Sequence, residues 1–149
     1  MAAKDIFDLQ VSVGDLVEAT SVFDAPLTNL GFIRSPYEAD HVPAGLDDDA
    51  ANWSKRLWVR PAERGHAVNL HARLIGSPNE RLALLFRDWF RAHPPAVVSY
   101  AEFKRRLSAL TPDTRAYADA KDPVVDVVRV AAEEWAESVD WRADREFRP

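Results

Sequence analysis

Hydrophobic and polar residues alternate near the start of the chain. In DIFDLQVSV (residues 5–13), the apolar residues Leu9, Val11 and Val13 are separated by single polar residues. This period of two predicts a β-strand with one buried face, and we expect it to be a central strand of the sheet.

The next segment changes to helical spacing. Apolar residues recur every three or four positions in residues 15–31, with Asp15 as the expected N-cap and Gly31 as the expected C-cap. Because proline lacks a backbone N–H, we expect Pro26 to break or restart this helix. A short strand is predicted in GFIRSP, followed by a loop over residues 37–54.

Two extended runs then predict a hairpin. KRLWVRP and HAVNLHARLIG are separated by only the four residues AERG. The alternation in the second run places Val68 and Ala72 on one face of the strand and His71 on the other.

From residue 77 onward the apolar residues recur with a period near 3.6. We predict four helices in this half, three of them starting at a capping residue followed by proline, as in SPNE, TPD and DP. In SPNE, Glu80 is placed to close a capping box with Ser77. The chain is therefore predicted to be an α+β domain over residues 1–139, with a sheet-rich half (1–76), a helical half (77–139) and a tail (140–149).

Composition narrows the function classes. The 149 residues include no cysteine, which excludes a disulfide framework or a thiolate site, and the net charge of −5 disfavours broad binding to nucleic acid. Charged residues near the N-terminus interrupt any stretch that could serve as an export signal or a membrane span. We expect a cytoplasmic protein without membrane association.

Several ordered blocks resemble the GrpB family, whose bacterial members are sometimes fused to dephospho-coenzyme A kinase. The blocks are AAKDIFDLQVSV, GSPNERLALLFRDWFRAHP, YAEFKRRL and AYADAKDPVV. The resemblance implies a nucleotidyltransferase-like fold, in which a Gly-Ser turn binds phosphates and carboxylates on the next strand hold a divalent metal.

This sequence departs from that pattern at two points. The Gly-Ser-Thr block would precede AAK, where this sequence begins with Met1, so we expect a truncated nucleotidyltransferase-like mixed sheet. Asp8 stands where the family's metal-binding carboxylate lies, but Gln10 occupies the position where such enzymes prefer a second acid. One carboxylate holds Mg²⁺ poorly unless waters and substrate phosphates complete its coordination.

The resemblance also indicates candidate site residues. Asp8 and His71 are the catalytic candidates, and Asp8 is the candidate ligand for Mg²⁺. The candidate ligand-binding or phosphate-binding residues are Lys4, Asn69, Arg87, Lys104, Tyr117 and Lys121. Guanidinium and ammonium groups suit phosphate because they form charge-assisted hydrogen bonds with its oxygens.

Several of these candidates also have a purely structural interpretation. Asp8 fits a solvated acid at a strand end, and His71 fits a polar residue on an exposed sheet face. Arg87 or Lys104 fits a partner for Asp88 or Glu102.

Together these patterns predict a GrpB-like protein that binds a nucleotide or a similar phosphorylated ligand, with weak or no transferase activity. The alternatives are a noncatalytic accessory or interaction domain, and one part of an enzyme completed by another chain. Because a shortened sheet leaves an unpaired edge, we also expect a homodimer or a protein partner that covers it.

Overall fold

The computed structural model describes residues 6–111 and 113–144. Its strands and helices are, in chain order, β1 (Ile6–Val13), α1 (Leu16–Asn29), β2 (Ile33–Arg34), β3 (Lys55–Arg60), β4 (Ala67–Leu74), α2 (Pro78–Ala92), α3 (Pro94–Leu110) and α4 (Thr114–Ser138). Short 3₁₀ turns cover Ala50–Trp53 and Ala62–Arg64. No helix in the described part of the chain is long and apolar enough to cross a membrane.

The described residues fall into two compact units. The sheet unit comprises residues 6–42 and 47–80, and the helical unit comprises residues 43–46 and 81–144. The boundary lies in the first turn of α2, between Glu80 and Arg81.

The sheet unit contains a mixed four-stranded sheet in the order β1-β4-β3-β2. β1 runs parallel to β4, whereas β3 is antiparallel to both β4 and β2. The α+β class, the mixed sheet and the β3–β4 hairpin predicted from the sequence are confirmed. The central position predicted for the first strand is wrong: within the described residues, β1 lies at one end of the sheet. Alternation defines the two faces of a strand but not its place in the strand order.

One face of this sheet packs against α1. The buried core consists of Leu16, Phe32, Trp58, Val68 and Ala72, and further apolar side chains from β1, α1 and β4 pack around it. Val68 and Ala72 come from the apolar face that was predicted for the second hairpin strand. The opposite face of β4 therefore carries its polar side chains.

The predicted N-terminus of α1 is confirmed, but the predicted break is wrong. The Asp15 carboxylate accepts hydrogen bonds from the backbone N–H groups of Val17 and Glu18, both at 2.7 Å. The helix continues through Pro26 to Asn29. Proline removes only one backbone donor, and the burial of Leu27 against the core favours continuing the helix. Gly31 follows the C-cap with a φ of 83°, a conformation that glycine adopts readily.

The helical unit contains α3, α4 and all but the first turn of α2. Its buried core is formed by Leu85, Trp89, Phe90, Ala132 and Ala136. The predicted third and fourth helices form one continuous helix, α4, which runs through Pro123. The Asp122–Pro123 pair resembles a helix start, but α4 continues through it, and its Val128, Ala132 and Ala136 pack in the core further along the helix.

Candidate functional site

The parallel pairing of β1 with β4 assembles a polar surface on the sheet face that α1 does not cover. The register places Asp8 beside Asn69, Gln10 beside His71 and Ser12 beside Arg73. Because alternate residues of a strand share a face, these six side chains lie together. We call this surface the polar sheet face.

The exposed end of the polar sheet face contains three of the predicted site residues. The Asn69 side-chain amide donates to Oδ1 of Asp8 at 2.9 Å, and Nε2 of His71 lies 3.9 Å from the same oxygen. The Asp8 side chain is 68% exposed, whereas that of His71 is only 17% exposed. This arrangement presents a solvent-accessible carboxylate beside a shielded imidazole.

The environment of His71 favours its neutral form. Burial lowers the pKa of His71 below its ordinary value, and the positive charges of Arg73 and Lys55 lower it further. The carboxylates of Asp8 and Asp40 oppose this shift but do not cancel it. A neutral imidazole can donate one hydrogen bond and accept another.

A buried ion network lies next to His71. Both the Arg73 guanidinium and the Lys55 ammonium donate to the Asp40 carboxylate, the former at 2.9 Å from Nε to Oδ2. Burial raises the pKa of Asp40, but the charges and hydrogen bonds of Arg73 and Lys55 outweigh this effect and hold it well below its usual range. The network therefore contains two cations that share one carboxylate, which is ionised at neutral pH.

The first turn of α2 is attached to the same face. The Asn79 amide donates to Asp40 at 3.1 Å and to the backbone carbonyl of Trp53 at 2.9 Å. The buried carboxylate of Glu80 accepts from the Ser12 hydroxyl at 2.7 Å and from the Gly76 N–H at 3.1 Å. The predicted capping box is therefore only partly correct. The Glu80 N–H does bond to the Ser77 hydroxyl, but the Glu80 carboxylate reaches Gly76 rather than Ser77.

Sequence reasoning missed the members of this network. The sequence pattern predicts Lys55 only as the first residue of a strand, and Asp40 only as part of the loop over residues 37–54. The one signal for Lys55 is the excess of charged residues around an apolar strand in KRLWVRP, and that segment includes neither Asp40 nor Arg73. That excess does not indicate which cation is buried.

Two of the predicted phosphate-binding residues, Arg87 and Lys104, have contacts within the helical unit. Arg87 forms two hydrogen bonds with the Asp88 carboxylate, at 2.7 and 3.0 Å, and a third with the Asp144 carbonyl. Lys104 Nζ lies 5.6 Å from the centre of the Tyr100 ring. The pairing of Arg87 with Asp88 agrees with its structural interpretation. For Tyr117 and Lys121, the ligand-binding role stays a prediction, and Lys4 lies outside the described residues.

The side chains near Asp8 that could ligate a metal limit how a divalent ion can bind. The described residues contain no group of three or more histidine or acidic side chains placed to hold a metal. Mg²⁺ commonly uses one or two carboxylates and retains several waters, together with substrate phosphates. Among the described residues, Asp8 therefore fits an ion that is delivered with a phosphorylated ligand.

Known proteins with related sequences cover nearly all of this chain. The GrpB protein family model matches residues 1–130. A dephospho-CoA kinase from Mycobacterium leprae (strain TN) is 35% identical over 156 residues, spanning 94% of this chain and 36% of the relative. UPF0157 protein YqkA from Bacillus subtilis (strain 168) is 31% identical over 137 residues, spanning 91% of this chain and 36% of the relative. The chain thus spans little more than a third of the length of these relatives.

A solved structure also has this fold. The crystal structure of the conserved protein GrpB from Enterococcus faecalis superimposes with a TM-score of 0.62 and 21% identity, covering 89% of this chain and 73% of that one. The match is consistent with the nucleotidyltransferase-like fold implied by the sequence blocks. Because the family model covers most of the sequence, this chain belongs to the GrpB family.

Proposed function

We propose that this chain binds a nucleotide or a similar phosphorylated ligand at Asp8, Asn69 and His71. The observation that carries the proposal is the exposed Asp8 carboxylate, fixed by Asn69 and placed 3.9 Å from the shielded imidazole of His71. A carboxylate and an N–H donor side by side suit a ligand whose phosphate brings a metal ion.

The two groups have different roles in this proposal. Asp8 provides a ligand for Mg²⁺, which would neutralise phosphate charge when bound. His71 provides a neutral hydrogen-bond donor to an anionic oxygen. With one exposed carboxylate in this cluster, the geometry favours binding over transfer, since two-metal phosphoryl chemistry needs more acidic ligands.

We propose that the ligand binds the sheet unit because Asp8, Asn69 and His71 contact one another there. The Arg87 charge is already paired with Asp88. For Lys104, Tyr117 and Lys121, a phosphate-binding role stays a separate prediction that concerns the helical unit alone. Relatives of this chain are named as dephospho-CoA kinases, which makes dephospho-CoA the first ligand to test.

Thermal unfolding of the wild-type chain with ligand and Mg²⁺ tests this function. At about 100 times its dissociation constant, a ligand adds roughly 2.7 kcal/mol of stability. For a domain of this size we expect an increase in Tm of roughly 5–10 °C with dephospho-CoA, coenzyme A or ATP. Asp8→Asn should remove the part of the shift that requires Mg²⁺, and His71→Gln should reduce the shift with or without the metal.

The matched control is Asp140→Asn, which makes the same chemical change at a side chain that is 84% exposed. This variant should show the same ligand-dependent increase in Tm as the wild type. The proposal is wrong if the folded wild-type chain shows no shift with any of the three ligands, or if Asp8→Asn and His71→Gln both respond as the wild type does.

A second candidate function, protein interaction, is favoured by β1. Within the described residues β1 pairs only with β4, so its other edge has no partner strand there. Phe7 and Leu9 on this strand are 52% and 50% exposed. An unpaired edge with exposed apolar side chains is a common site of strand pairing between chains.

The corresponding proposal is a homodimer formed through β1. Sedimentation of the wild-type chain at about 50 µM should give a dimer, and Leu9→Lys should shift it toward monomer because a charged side chain blocks edge pairing. Leu110→Lys, at a residue of α3 that is 82% exposed, is the control and should leave the assembly unchanged. A monomeric wild type would contradict the homodimer.

A further inference from the structure

The Arg73 side chain lies next to His71 of the candidate site. It is 11% exposed, and three groups surround the guanidinium. Nε donates to Asp40 at 2.9 Å, Nη1 donates to the Gln10 side-chain oxygen at 2.6 Å, and Nη2 lies 3.4 Å from Nδ1 of His71. Asp40 and Gln10 thus accept hydrogen bonds from Nε and Nη1 of the guanidinium. The remaining nitrogen, Nη2, faces the His71 imidazole.

The chemistry of the guanidinium determines the direction of that third contact. Arginine has only donors and stays protonated in proteins, so Nδ1 of His71 must accept. In the neutral imidazole the single ring proton then lies on Nε2, the nitrogen that faces Asp8 at 3.9 Å.

We infer that Arg73 is a positioning residue that holds His71 in the Nε2–H tautomer, so that His71 donates to an anionic oxygen of the ligand instead of binding a metal. A metal at Nε2 would require the ring proton to move to Nδ1. There it would face the Arg73 N–H, placing two donors against each other. The role in ligand binding rests on the proposed function, whereas the tautomer is a property of the ligand-free chain.

Nitrogen-15 NMR of the histidine side chains in the full, ligand-free chain tests this inference, at a pH where the rings are neutral. The tautomer is read from which ring nitrogen has the chemical shift of a protonated nitrogen. The signals of His71 are assigned by their loss in His71→Gln. His93 supplies a reference for the opposite tautomer, because its Nδ1 lies 2.7 Å from the Trp89 carbonyl and must donate to it.

We expect the Nε2–H tautomer of His71 to exceed the Nδ1–H tautomer by roughly tenfold or more, as a hydrogen bond from a charged donor implies. Arg73→Met should reduce this excess. Gln10→Ala should also reduce it while leaving the arginine charge in place, which keeps the test decisive if Arg73→Met does not fold.

Two results would overturn the inference. One is a wild-type His71 that is mainly in the Nδ1–H form. The other is a tautomer ratio that is the same in the wild type and in every variant that folds. Both are measured without ligand, so they differ from a failure of the proposed function, in which the tautomer is as expected but no ligand stabilises the chain.

Discussion

Replacing Asp40 with asparagine is expected to lower the free energy of unfolding by about 3–5 kcal/mol, the usual cost of removing one partner from a buried ion network. The asparagine side chain has nearly the same shape, but it cannot neutralise Lys55 and Arg73. The Lys55 side chain is only 9% exposed and that of Arg73 only 11%, so neither charge can readily be solvated in the folded chain. Urea denaturation at neutral pH measures the loss.

The pH dependence provides a second test of the same network. Because the folded-state pKa of Asp40 lies below the ordinary value of 3.8, this carboxylate stabilises the chain fully above that pH. Its contribution declines as the pH falls below about 4, where the unfolded chain takes up a proton first, and it is gone once the folded-state carboxyl is protonated as well. The stability difference between wild type and Asp40→Asn should therefore narrow in acid.

The exposed substitution Asp140→Asn is again the control, with an expected change within about 0.5 kcal/mol. If Asp40→Asn lowered the free energy of unfolding no more than Asp140→Asn does, the network would contribute little to stability. A difference that stays constant between neutral and acid pH would mean that the Asp40 charge is not its source.

The faces of the strands could be predicted from the sequence because alternation is a local property. The burial of Val68 and Ala72 in β4 follows directly from the period of two in HAVNLHARLIG. The N-terminus of α1 was predictable for the same reason, since Asp15 bonds to N–H groups only two and three residues away.

The pairing of β1 with β4 could not be predicted in this way. The contact between Asp8 and Asn69 joins positions separated by 61 residues, and no local pattern specifies that register. Whether Asp8, Asn69 and His71 lie together depends on the strand order and on which face of the sheet each strand presents. The resemblance to a known family supplied Asp8 and His71 as candidates, and the strand register brings them together.

The buried ion network was missed for a different reason. Asp40 belongs to a loop without periodicity, and the burial of Lys55 depends on its bond to this carboxylate, which also accepts from Asn79 of α2. A lysine at the start of a strand is usually exposed. Only the arrival of a carboxylate from elsewhere in the chain makes its burial possible, and the sequence contains no local sign of that contact.

The core of the sheet unit leads to the second large expected effect. Trp58→Ala should lower the free energy of unfolding by about 3–5 kcal/mol, because it removes a large aromatic side chain from a packed core and leaves a cavity. Trp58 is 1% exposed, and its ring lies edge to face with that of Phe23, with 5.8 Å between the ring centres. Its indole N–H also donates to Asp24 at 2.8 Å.

Trp58→Phe separates packing from the hydrogen bond. Phenylalanine retains an aromatic ring in the core but cannot donate to Asp24, so we expect a smaller loss of about 1–3 kcal/mol. Ile33→Ala, on β2 at a residue that is 64% exposed, serves as the control and should change the stability by no more than about 0.5 kcal/mol. Urea denaturation should rank the three losses in the order Trp58→Ala, Trp58→Phe and Ile33→Ala. If Trp58→Ala lowered the free energy of unfolding no more than Ile33→Ala does, Trp58 could not be the central side chain of this core. If Trp58→Phe lowered it as much as Trp58→Ala does, the bond to Asp24 and the full indole shape would contribute more than the bulk of the ring.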